Sequence, residues 1–173
     1  MDPIDQHNPS GIPAYLQRWP GLFMHRDGKV VEAPAADVAV ARSYPASLTK
    51  GPLHKGRRIT VLCAPGPYAV GDEVRVIHVY EVTDPGENLF VMGPKPVSGE
   101  FVDGIAVTPP SAALDTAYDG RVLPSPGVDY NYDITSHRFS TPGRHTIQWQ
   151  LGDLRSNLLE VEVAPAAGAA GPG

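Results

Sequence analysis

From Arg57 onward, apolar and polar positions alternate in short runs, the period of strands with one face buried. Ile59, Val61 and Cys63 share one side of the first run, and Pro65-Gly66-Pro67 then turns the chain. The next run, Gly71 to Thr83, is the longest. Val74, Val76, His78, Tyr80 and Val82 fall on one face, and Glu73, Arg75, Ile77, Val79 and Glu81 on the other. The second face is polar at its ends and apolar in its middle, which predicts a central strand covered on both sides. Asp84 to Asn88 is a turn by composition, and Leu89 to Met92 is a further short run. Pro94 and Pro96 lack ladder donors and predict a kinked edge over 93–97. Tyr130, Tyr132 and Ile134 alternate with Asn131 and Asp133, and Arg138-Phe139 leads to the turn Thr141-Pro142-Gly143. His145, Ile147, Trp149 and Leu151 alternate with polar residues up to Gly152-Asp153, and Leu159, Val161 and Val163 alternate with Glu160 and Glu162. This last piece reads as an antiparallel hairpin with one apolar and one wet face. The predicted core is therefore Ile59, Val61, Val74, Val76, Ile134, Phe139, Ile147, Trp149, Leu159 and Val161.

Three stretches lack such periodicity. Residues 1–56 hold seven prolines and read as an irregular N-terminal arm. Within it, Asp27-Gly28 between two short apolar runs signals a hairpin, and Ala33 to Ala41 suits a short helix or a strand equally. Tyr15, Trp19, Leu22, Phe23 and Met24 crowd this arm with apolar surface, so it packs either on its own domain or on a neighbouring copy as a homo-oligomer contact. Residues 105–126 are poorly patterned and long for a connection, which makes them the first place to seek a binding surface. Residues 164–173 contain only Ala, Pro and Gly and read as a flexible tail. The domain itself is assigned to 57–163.

Composition narrows the classes of function. Gly and Pro number 18 and 19 of 173 residues, which favours many short strands joined by turns over a helical bundle. The net charge of −5 offers no basic field for phosphates, so neither nucleic acid nor a membrane surface is an expected partner. No apolar stretch approaches the ~20 residues of a membrane-spanning helix. A single cysteine, Cys63, excludes an internal disulfide and reads as a small core residue. No signal peptide is visible at the N-terminus, which predicts a cytoplasmic chain, although a processed secreted protein would look the same.

The stretch from Phe139 through Thr141-Pro142-Gly143, Ile147 and Trp149 to Ser156-Asn157-Leu158 and Val161-Glu162-Val163 resembles the last two strands of bacterial immunoglobulin-like domains. The resemblance implies an all-β, immunoglobulin-like antiparallel β-sandwich over about 57–163, preceded by the Pro-rich arm. It carries no catalytic motif, and such sandwiches serve adhesion, carbohydrate binding, chaperoning and scaffolding alike. The paired cysteines of many such domains are absent.

Candidate chemistry is sparse. An acidic and aromatic set lies in or beside the long connection: Asp103, Asp115, Tyr118, Asp119, Asp129, Tyr130, Asn131, Tyr132 and Asp133. Carboxylates suit calcium, and carboxylates beside aromatic rings suit sugars or peptides. From this set Asp103, Tyr118, Asp119, Asp129, Tyr130 and Tyr132 are taken as the binding residues; whether they hold a metal stays open, and no cofactor is predicted. The histidines offer only cross-strand pairings such as His78 with His145, and Glu100 with Asp103 is a candidate carboxylate pair. Ser136 and His137 are adjacent on one strand and so point to opposite faces, which rules out a serine–histidine pair. No glycine-rich phosphate loop or serine nucleophile elbow occurs. The expected function is a non-catalytic binding or assembly module recognising a protein or glycan through 103–133. The alternative is a small enzyme, or an accessory enzyme subunit, using the same acidic-aromatic site.

Overall fold

The computed structural model describes residues 11–91, 93–107 and 122–166, in which strands predominate over helix. Its N-terminal part holds strands β1 (Phe23–Arg26) and β2 (Lys29–Glu32), helix α1 (Ala35–Arg42), and two single 3₁₀ turns, Ala14–Gln17 and Tyr44–Ala46. Then come β3 (Arg57–Leu62), β4 (Tyr68–Ala69), β5 (Glu73–Val82), β6 (Asn88–Phe90), β7 (Glu100–Val102) and β8 (Ile105–Val107). The C-terminal part holds β9 (Val122–Pro124), β10 (Gly127–Asp129), β11 (Thr135–Arg138), β12 (Gly143–Leu151), β13 (Leu154–Arg155) and β14 (Leu159–Ala164).

Two larger sheets face each other across one core. In the first, β5 pairs antiparallel with β3, β10 and β11. In the second, the order is β4-β14-β12-β7-β8, with β13 also against β12. Ile59, Val61, Val74 and Val76 from the first sheet pack with Ile147, Trp149, Val161 and Val163 from the second, which the alternation along each strand dictates. Of the predicted core, Ile134 and Leu159 are half-buried and the rest are buried. Cys63 is half-buried beside this core, and burial pushes its thiol pKa up, against reactivity.

The other face of β5 carries a second core, in which Ile77, Val79, Leu62, Val128 and Tyr130 pack with Leu16, Leu22, Ala33, Ala41 and Tyr44. These apolar residues of the N-terminal segment are thus covered by its own chain, while Val30, Leu48 and Leu53 stay exposed. Asp27 and Gly28 both take positive φ in the β1–β2 hairpin, as the Asp-Gly signal requires. The Ala-rich stretch that suits helix or strand equally is α1, which starts after Pro34 and carries Asp37 in its first turn and Arg42 in its last, each favourable to the helix dipole.

Two expectations are corrected. The stretch 105–126 is not irregular throughout: β8 and β9 occupy its ends. Asp103 and Gly104, at φ 51° and 77°, close a tight turn that folds β8 back along β7. The alternating run 130–134 is not a strand either. β10 stops at Asp129, and the backbone is then tied by side chains and a single bridge, Lys95 to Tyr132. The Asp129 carboxylate accepts from Asn131 N (2.8 Å), and Asn131 Nδ2 donates to Val91 O (2.6 Å), bonds that compete with a ladder.

At Gly51, Gly93 and Gly99 the chain passes directly over another strand or turn. A Cβ there would stand 1.9 Å from Ile59 O, 2.3 Å from Asn131 O and 2.2 Å from Gln150 O respectively.

Candidate functional site

The sequence-predicted binding residues do not form one surface. Tyr118 and Asp119, like Asp115, lie outside the described residues. Asp103 sits on the β7–β8 turn, where its Oδ2 accepts from His145 Nδ1 (2.7 Å) and its Oδ1 from Thr146 N (2.9 Å). Burial opposes ionisation of Asp103, but the His145 and Thr146 hydrogen bonds hold its pKa below the ordinary value. The His145 ring is stacked on Phe139 and directs its other nitrogen at Thr141 O (2.8 Å). Its hydrogen bonds to Asp103 and then to Thr141 raise its pKa.

Asp129, Tyr130 and Tyr132 are neighbours, but their side chains part. Asp129 is buried and faces Lys95 Nζ at 2.6 Å. Burial raises its pKa despite that partner. Tyr130 enters the second core, edge-on to Tyr44 and tilted against Trp19. Tyr132 turns to the first core against Trp149, with Lys95 Nζ 4.6 Å above its ring. Strict alternation would put Tyr130 and Tyr132, two residues apart, on one face; they part because the strand ends at Asp129 and the backbone beyond it is irregular. All three are committed to structural partners.

A polar cluster that the sequence did not announce lies inside the first core. Glu100, on the first residue of β7, is 3% exposed and receives His78 Nε2 on Oε2 at 2.6 Å. His137 Nε2 donates to its Oε1, and Thr135 Oγ1 lies 2.9 and 3.0 Å from its two oxygens. Burial would push the Glu100 pKa up, but the His137 and His78 hydrogen bonds outweigh it and bring it down to about 2. An ionised Glu100 fixes both imidazoles with their Nε2 protonated. His78 Nδ1 is buried without a hydrogen-bond partner, and the His78 ring meets Trp149 edge-on at 5.0 Å. The cluster joins β5 and β11 of one sheet to β7 of the other. His78 thus meets Glu100 and not His145, and Glu100 and Asp103 each take a histidine instead of each other. Ser136 turns the opposite way to His137 and donates to Glu73 (2.8 Å), as adjacency on a strand requires.

A mirror arrangement anchors the second core. The buried Glu81 carboxylate accepts from the Tyr15 hydroxyl (2.6 Å) and from that of Tyr44, with Arg58 Nε 3.7 Å away. Asp37 on α1 takes Arg75 in a two-pronged ion pair, Nε to Oδ1 at 3.0 Å and Nη2 to Oδ2 at 2.9 Å. These groups fasten the N-terminal segment to β5.

Among the described residues of 103–133, uncovered apolar surface lies at Val122, 39% exposed at the start of β9, and on β8. Ile105 is 72% exposed and Val107 36%. They stand opposite Val102 and Glu100, whose side chains point to the core, so β8 extends the core-facing side of its sheet past the sheet below. Elsewhere, a groove of about 700 Å³ lies between the start of β3 and the β12–β13 turn, lined by His54, Arg57, Tyr80, Glu87 and Asp153 among others. It contains none of the predicted residues. Among the described residues no group of three His, Cys, Asp or Glu side chains is placed to hold a metal ion, and no helix is long and apolar enough to cross a membrane. Set against family models, curated proteins and solved structures, the chain finds no match in any of the three.

Proposed function

We propose that this chain is a non-catalytic binding or assembly module on an immunoglobulin-like β-sandwich, making contact with a protein or glycan partner through the 103–133 region. The observation that carries the reading is the uncovered apolar ledge of Ile105 and Val107 on β8, which among the described residues pairs with β7 alone. Exposed apolar side chains beside unpaired backbone groups are the makings of strand addition. The acidic and aromatic residues first expected to bind are committed elsewhere where they are described, which moves the contact from Asp129, Tyr130 and Tyr132 to the β7–β8 hairpin. The N-terminal segment serves as a brace, since Leu16, Leu22, Ala41 and Tyr44 and its ties to Glu81 and Arg75 face its own chain.

A second reading, a small enzyme, draws on His78, Glu100 and His137, where among the described residues two imidazoles and a carboxylate converge. His78 and Glu100 are sealed in the core, and the groove beside β3 does not reach them. A selection of displayed peptides and glycans against the wild-type chain and the Ile105→Lys, Val107→Lys double variant separates the readings. Ligands that bind the wild type and lose the double variant support the contact surface. Ligands indifferent to both changes overturn it.

A further inference from the structure

Resting on the reading of 103–133 as a contact surface, we propose that the occupant of the β8 edge is a second copy of this chain, paired β8 to β8, antiparallel, about a two-fold axis at Ala106. In a two-residue turn the residue before the turn accepts from the residue after it, so Ile105 N–H turns inward to Val102 O. Successive pairs alternate, so Val107 also bonds toward β7 while Ala106 directs its N–H and C=O outward. Among the described residues β8 pairs with β7 alone. Two Ala106 residues related by a two-fold axis would exchange both bonds, and Ile105 of each copy would lie opposite Val107 of the other. The same three residues therefore satisfy both sides, as a self-complementary interface requires.

Three other sheet edges, β3, β4 and β11, carry protection that β8 lacks. On β3, the Asn157 side chain occupies the strand: its Oδ1 accepts from Val61 N (2.9 Å) and its Nδ2 donates to Val61 O (3.1 Å). β4 is two residues long and comes after Pro65 and Pro67. β11 bears Ser136 and Arg138, both drawn to Glu73. β8, Ile-Ala-Val, has no charge, proline or capping side chain, so a copy brought against it meets no like charge. β8 is three residues long, which limits the pairing to a short contact. An interface this small predicts weak, concentration-dependent association.

Sedimentation velocity on the full chain, from micromolar concentration up to about 1 mM, tests this. The wild type is expected to move from one copy toward two as concentration rises. Ala106→Pro removes the outward donor without touching the bonds to β7, and Ile105→Lys places like charges across the axis. Both are expected to stay at one copy with an unchanged circular dichroism spectrum. A wild type that remains single at the highest concentration, an Ala106→Pro variant that dimerises equally, or growth beyond two copies overturns the proposal. A monomeric wild type whose selected ligands still depend on Ile105 overturns the pairing alone. A dimer sensitive to Ala106→Pro, with no ligand dependent on Ile105, supports the pairing and confines the contact surface to self-assembly.

Discussion

On one face of β5, Val74, Val76 and His78 pack against the second sheet; on the other, Ile77, Val79 and Glu81 pack against the segment that runs from Ile12 to Tyr44. Each core buries one carboxylate. Glu100 is held by two imidazoles and a hydroxyl, all from strands, whereas Glu81 is held by two phenols, each on a single 3₁₀ turn. The first core is closed by ladders on both sides. The second is closed by a strap whose attachment depends on a few polar fixings and on aromatic contacts such as Arg42 over Trp19, 4.5 Å from the ring centroid. Regions with fewer ladder bonds open at lower free energy than those at the centre of a sheet. The strap should therefore loosen first, without loss of the two-sheet body.

The largest expected effect breaks the first core. Trp149→Ala should cost about 3 to 5 kcal/mol in denaturant melts, the range for deleting a fully buried large aromatic. A loss under ~1 kcal/mol would mean that the core between the sheets does not depend on the indole.

Glu100→Ala should cost about 3 kcal/mol or more, because it strands the buried His78 and the half-buried His137 without their acceptor. The pH dependence has a definite sign. The folded pKa of Glu100 is depressed to about 2, so its stabilisation is present above the ordinary glutamate value and is lost as pH falls toward 2. Wild-type stability should therefore decline on acidification below about pH 4. The alanine variant should lose part of that decline, and equal slopes in both proteins would remove Glu100 from the acid response.

Tyr44→Phe leaves shape intact and takes one hydroxyl from Glu81, at an expected cost of about 1.5 to 3 kcal/mol for a hydrogen bond to a charged group. Hydrogen exchange makes the comparison sharper than stability does. Amides between 12 and 46 should exchange faster in the variant while those of β12 and β14 keep their protection. Equal acceleration in both regions would show that the two cores open together.

The smallest effect belongs to the Asp103–His145 pair on the β7–β8 turn. The raised pKa of His145 makes its contribution present below about pH 6.5 and lost as pH rises through the higher folded value. The lowered pKa of Asp103 makes its contribution present above about pH 4 and lost as pH falls. The pair should thus help most between these limits. The melting-temperature gap between wild type and His145→Gln should peak near pH 5 to 6. A gap that does not vary with pH would leave the pair without an electrostatic role.

Much of the strand pattern is legible because period-2 alternation is local. The two faces of β5 separate as Val74, Val76 and His78 against Ile77, Val79 and Glu81, and the pairing of β12 with β14 matches Ile147 to Leu159 and His145 to Val161. Asp27-Gly28 marks its hairpin, whereas Asp103-Gly104, an equally good turn signal, is masked by the prolines at 109 and 110. The cluster around Glu100 is beyond the reach of local pattern. His78 and His137 lie 22 and 37 residues from Glu100 in the chain, and only the stacking of β7 over β5 and β11 brings them together. The acidic neighbours of Tyr130 and Tyr132 suggest ligand-facing rings. A contrary signal is also present, since residues two apart in a run flanked by strands are ordinarily core, and the crowded aromatics near the N-terminus need a surface to cover.

The glycines at 51, 93 and 99 set a limit on how this chain can vary over generations. At the tight turns, glycine answers a demand of backbone angle, and asparagine or aspartate can meet it at modest cost, as Asp27 and Asp103 already do. At Gly51 and Gly93 the demand is for empty space, and at Gly99, with φ 79°, for space as well as angle: the missing atom would fall within 1.9 to 2.3 Å of a main-chain oxygen of Ile59, Asn131 or Gln150. Main-chain atoms cannot rotate aside as a side chain can. Even alanine would therefore force the crossing segments apart, and descendants that keep this architecture should hold glycine at these three sites while the turn positions drift.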